Sequence, residues 1–138
     1  FSTILLLLLV VGIMMKLSGS RVENEVARSI ARNLTIPSIL FIAIGQATGE
    51  EIFFRAFLIK KLSFGNNSHM GVFLSSILFG LAHLSYGNVY QVILPFLIGY
   101  ILGYTLLRSR NIVSVIIPHA FYDLFALLIT RYYFSIIL

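Results

Sequence analysis

Gly49-Glu50-Glu51-Ile52-Phe53-Phe54-Arg55-Ala56 sits inside an otherwise apolar segment, residues 37–62, that exceeds the roughly 20 residues needed to cross a bilayer. Two carboxylates and a guanidinium in such a segment are too costly to face lipid, so they face the interior of a helix bundle. Glu51 and Arg55 are spaced i,i+4 with the acid first, the favoured order for an ion pair on one helix face. Glu50 lies about 100° away around the helix and is left out of that pair. The pattern therefore assigns Glu50 as the chemically active carboxylate. Glu51 and Arg55 support it, as a buried pair that fixes geometry more than it adds stability.

The rest of the chain agrees about the solvent. Its 138 residues are 59% hydrophobic and 11% charged, with a mean hydropathy of +0.97, against ~45–50% apolar and ~25% charged usage in soluble domains. In water that much apolar surface would form large exposed patches. With no cysteine there is neither a disulfide nor a thiolate metal site, so any metal would rest on His and carboxylates. The formal charge of +5 is too scattered for a nucleic-acid stripe and suits the cytoplasmic loops of a membrane protein.

The expected architecture is an all-α, polytopic transmembrane helix bundle of about five spans plus one interfacial helix. Residues 1–17 read as a truncated membrane helix, the chain being a piece of something longer, and residues 18–33 as an amphipathic connector with Arg21, Glu25, Arg28 and Arg32 around an apolar face. Residues 1–35 thus precede a membrane domain, 36–131, and an aromatic, apolar tail, 132–138. Within the domain, spans are expected over 37–62, 71–86, 89–107 and 112–130, with His69 in a polar turn. Lys60 and Lys61, and Arg108 and Arg110, mark two turns as cytoplasmic, while the uncharged Gly87-Asn88 turn fits the opposite side. Two G-x-x-x-G spacings, Gly45/Gly49 and Gly99/Gly103, are expected to let neighbouring helices approach closely.

Depth brings distant residues together. Glu50 is 11 residues from Lys61 and His83 is 12 from Gly71, while His119 and Asp123 are 7 and 11 from Ile112. At ~1.5 Å per residue all four lie roughly 10 to 18 Å from the cytoplasmic ends, near the middle of a ~30 Å hydrocarbon core. Ionisable groups sharing one depth are best accommodated facing each other, as a pocket of two imidazoles and two carboxylates. His119 and Asp123 are again i,i+4, so Asp123 either fixes the imidazole tautomer or joins it at one reacting atom. Phe79, four residues before His83, places an aromatic wall beside that imidazole.

Glu50-Glu51-Ile52-Phe53-Phe54-Arg55, Phe79-Gly80-Leu81-Ala82-His83 and His119-Ala120-Phe121-Tyr122-Asp123 resemble the EExxxR, FxxxH and HxxxN/D motifs of the CAAX protease and bacteriocin-processing family (CPBP, or Abi). Each motif alone is weak, but three in order on three spans are fairly specific. That family comprises intramembrane endopeptidases and includes the type II CAAX prenyl endopeptidases, which remove the last three residues after a prenylated cysteine. The resemblance implies that Glu50 and His83 activate a water, while His119 and Asp123 polarise the scissile carbonyl or hold its oxyanion. Asp123 stands where the prenyl-endopeptidase branch usually has Asn, so it must be protonated, orient His119, or bind a metal. Glu50, His83, His119 and Asp123 are candidate zinc ligands, yet a water activated by Glu and His needs no metal, and the metal-free reading is favoured. The implied partners are membrane lipid and a lipid-modified or membrane-associated peptide, at the cell membrane, with the site opening toward the cytoplasm. The rival readings are a noncatalytic bacteriocin-immunity or membrane-binding protein of the same fold, and a fragment of an ion or proton transporter.

Overall fold

The computed structural model describes residues 33–65, 67–84 and 89–136, with side chains at Tyr90 and 133–136 left aside. Every regular element among them is a helix. The expected first span and almost all of the amphipathic connector lie outside the described residues.

Helix α1, Ile36–Glu50, starts where Thr35 and Ser38 cap each other. The Thr35 hydroxyl accepts from the Ser38 amide and the Ser38 hydroxyl accepts from the Thr35 amide at 2.8 Å, satisfying two otherwise orphaned donors. The helix then continues without a break through a π-helical stretch, Glu51–Leu58, into α2, Ile59–Leu62. In the wider winding the Ile59 amide reaches back five residues to the Phe54 carbonyl. The same carbonyl accepts the Ser75 hydroxyl at 2.6 Å, which ties the irregular turn to the neighbouring helix. That neighbour, α3, spans Ser68–Ala82 and is capped by the Asn67 side chain on the Met70 amide, so His69 is helical rather than in a turn. Helices α4, Tyr90–Ser109, and α5, Val113–Ile136, complete the bundle, joined by a tight turn in which Arg110 takes the left-handed conformation at φ 53°. The last helix runs past its expected end at Thr130.

Five spans are not supported. The described chain forms four rods, and two of them, Gln91–Ser109 and Val113–Tyr132, are long and apolar enough to cross a membrane. The 36–62 rod is long enough but carries Glu50, Glu51, Arg55, Lys60 and Lys61. The Ser68–Ala82 helix is apolar but short of a full span.

Helix α3 packs most extensively on α4, and α1 on α5. The first contact depends on glycine: a Cβ at Gly80 would lie 2.7 Å from the Val92 carbonyl oxygen, and one at Gly103 would lie 2.8 Å from Val72 Cγ1. Gly45 and Gly49, by contrast, have no atom within 4 Å of such a Cβ, so the close approach expected there does not occur among the described residues. Ile39, Ala43 and Ala47 bury one face of α1, and Ile98, Leu102 and Val115 form a core between α4 and α5. Large apolar side chains cover the outside, with Phe41 81% exposed and Phe53 and Phe57 half exposed, a surface made for an apolar solvent.

Candidate active site

Glu51 is the centre of the polar layer. It is fully buried at the first residue of the π-helical stretch, and its two oxygens hold two different helices' side chains. Oε2 lies 3.2 Å from Arg55 Nε, the i,i+4 pair expected from sequence. Oε1 lies 2.7 Å from His119 Nδ1, a bond across 68 residues that no local pattern announces. A carboxylate so close to an Arg accepts, so His119 Nδ1 donates and its tautomer is set by Glu51. Sequence spacing offered Asp123 for that task as one of two options; in the structure Glu51 holds Nδ1, and Asp123 lies toward Nε2 on the far edge of the ring.

There His119 Nε2 lies 3.7 Å from Glu50 Oε2 and 3.7 Å from Asp123 Oδ1. These distances are too long for direct hydrogen bonds and are those of ion-pair contacts, with both carboxylates turned toward the same ring nitrogen. Glu50 and Asp123 are the open part of the layer, with side chains 22% and 16% exposed, whereas His119 and Arg55 are buried. Pro118, immediately before His119, interrupts the backbone hydrogen bonding of α5 at this level.

His83 caps the end of α3, where its Nδ1 lies 2.8 Å from the Phe79 carbonyl. A carbonyl only accepts, so Nδ1 carries a hydrogen. His119, Glu50, His83 and Glu51 all lie within electrostatic reach of Asp123, so the four sequence-predicted residues and Glu51 fall in one neighbourhood. Phe79 joins them. Its ring meets His83 edge-on at 4.9 Å and His119 at 5.9 Å, and the Arg55 guanidinium lies over it at 4.3 Å. Gly99 on α4 makes room for this stack, since a Cβ there would come 3.1 Å from Phe79 Cδ1 and 3.2 Å from Arg55 Nη2. A cavity of about 380 Å³ lined by Arg55, Ile59, Lys60, Ser63 and Ser68 approaches the layer from the Lys60 end.

One residue was missed from sequence. Gln46, a turn before Glu50, donates from Nε2 to Glu50 Oε1 at 3.1 Å. Its i,i+4 spacing to Glu50 was the available signal.

As a metal centre the donors fit poorly. Among the described residues no three His, Asp or Glu side chains are arranged to hold an ion. His119 and His83 both hold Nδ1 against an oxygen, as metal-bound imidazoles also do, so the poor fit lies in the arrangement of the donors and not in these ring contacts.

Fold and site together define a helical bundle for an apolar solvent with an acid–base cluster in its interior. The description type II CAAX prenyl endopeptidase Rce1-like matches residues 32–125, and the chain belongs to that family, one of membrane-embedded peptidases. No curated protein and no solved structure matches the chain significantly.

Proposed function

We propose that this protein is a multi-pass intramembrane endopeptidase that hydrolyses a peptide bond near the C-terminus of a membrane-associated, prenylated CaaX substrate, with a water activated by Glu50 and His83. The observation that carries the reading is the convergence of Glu50 Oε2 and Asp123 Oδ1 on His119 Nε2, while Glu51 secures the ring from behind. It supplies a base, an orienting acid and an oxyanion donor within one layer.

Glu50 takes a proton from the water as its oxygen attacks the scissile carbonyl, and the His83 Nε2 lone pair helps orient that water. Negative charge develops on the carbonyl oxygen. A His119 imidazolium, stabilised through Nδ1 by Glu51, presents Nε2–H to that oxygen, and a protonated Asp123 offers a second donor. An ionised Asp123 would repel the oxyanion, so the acid form does what Asn does in the prenyl-endopeptidase branch. Collapse breaks the C–N bond, and Glu50 returns its proton to the leaving amine. No step is routed through a metal.

The substrate enters from the cytoplasmic side. The cavity at Arg55 and Lys60 supports this direction, and Lys60, Lys61, Arg108 and Arg110 are the positive residues a cytoplasmic face carries. The apolar outer surface suits lipid and a prenyl chain as partners.

The test is incubation of the purified, detergent-solubilised protein with a farnesylated CaaX reporter peptide, with products read by mass spectrometry. Release of the last three residues supports the proposal. No cleavage of this or other lipid-modified peptides by a folded protein contradicts it and favours a noncatalytic binder.

A further inference from the structure

We infer that Gln46 is a positioning residue for Glu50, holding one carboxylate oxygen so that the other is the one presented to the reacting water. The inference rests on the reading of Glu50 as the base.

Glu51 is held by both Arg55 and His119, but among the described residues Glu50 is in no ion pair with a permanent cation. Among the described residues its only hydrogen-bond donor is Gln46, on Oε1 at 3.1 Å, and Oε2 is the oxygen turned toward His119. A carboxyl held at one oxygen has lost the end-over-end freedom of its last torsion, which is broad and two-fold when unconstrained. The effect on chemistry is orientational: the lone pair that takes the proton stays aimed at the layer.

The residue type fits the task. Gln46 is exposed on a helix whose other exposed neighbours, Ile44 and Gly45, are apolar or bare. An amide in lipid surroundings is costly unless it is hydrogen-bonded, and the Glu50 bond is the one it makes among the described residues. Being neutral, it neither adds charge to a layer already holding three acids nor competes for the proton. It also serves both states of Glu50, donating to the carboxylate from its NH2 and, after a flip, accepting from the carboxylic acid through its oxygen. A Lys or Arg there would hold only the ionised form.

The experiment compares wild type, Gln46→Leu, Glu50→Gln and the double variant on the farnesylated CaaX reporter. Gln46→Leu is expected to lower kcat by ~10- to 100-fold with KM unchanged within about twofold, the signature of a lost transition-state contact. The double variant is expected to be no slower than Glu50→Gln alone, because Gln46 acts through Glu50. Wild-type kcat in Gln46→Leu, a rise in KM alone, or losses that multiply in the double variant would overturn the inference while leaving the proposed function standing. Equal turnover by wild type and Glu50→Gln would refute the reading of Glu50 itself. Thermal unfolding gives a test independent of turnover: the Tm shift of Gln46→Leu is expected to differ between wild-type and Glu50→Leu backgrounds, and additive shifts would overturn the coupling.

Discussion

The 36–62 rod packs α1 along α5 and is tied to it at the polar layer by charge and hydrogen bonds, Arg55 to Glu51 to His119, whereas α3 meets α4 through missing side chains at Gly80 and Gly103. In the first contact each group is held by the next, so removing one strands its partner in a medium that cannot solvate it. In the second, nothing is stranded by removal and harm comes from adding volume. Polar contacts set where atoms point, and glycine contacts set how close helices lie. The two meet at Gly99, where the absent side chain of the seam leaves room for the Arg55 guanidinium on Phe79.

That contrast breaks or sharpens under substitution. Arg55→Leu should be the most destabilising change, at ~3–5 kcal/mol, because it leaves the fully buried Glu51 carboxylate without its cation; thermal unfolding in detergent reads it, and a loss under about 1 kcal/mol would mean the pair is ornamental. Gly80→Ala, pressed on the Val92 carbonyl, and Gly103→Ala, pressed on Val72, should each cost about 1–3 kcal/mol. At Gly45 the same change meets open space and should stabilise the helix by roughly 0.5–1 kcal/mol. Equal effects at Gly45 and Gly80 would erase the distinction between seam and outer face. Asp123→Asn should keep turnover within about tenfold of wild type, since an amide donates as a protonated acid does; abolished turnover would make Asp123 an ionised base instead. Smallest of all, a strong chelator should leave initial rates unchanged, and loss of activity restored by zinc would reinstate a metal.

How much of this was legible beforehand follows from range. Helices were visible because apolar runs and charge-bearing turns are local, and the pair Glu51–Arg55 because i,i+4 is local too. The shared neighbourhood of Glu50, His83, His119 and Asp123 was readable by counting, since a bilayer gives every span the same ruler. The bond from Glu51 to His119 was not readable: its partners are 68 residues apart, and depth alone does not say which face of each helix turns inward. Nor was the π-helical winding of Glu51–Leu58, which no periodicity encodes and which Ser75 of another helix stabilises. The count of five spans treated hydropathy as sufficient, but the charged 36–62 rod and the short α3 do not meet the length and composition of a simple span.

The central claim is that adjacent glutamates have separate work, Glu50 in the chemistry and Glu51 in the framework. It is tested most directly by measuring turnover of the farnesylated CaaX reporter and thermal stability for Glu50→Gln and Glu51→Gln side by side. The account predicts that Glu50→Gln unfolds within a few degrees of wild type yet loses about 10²- to 10⁴-fold in kcat, while Glu51→Gln loses stability as well as activity. A Glu50→Gln variant that turns over at the wild-type rate would contradict it.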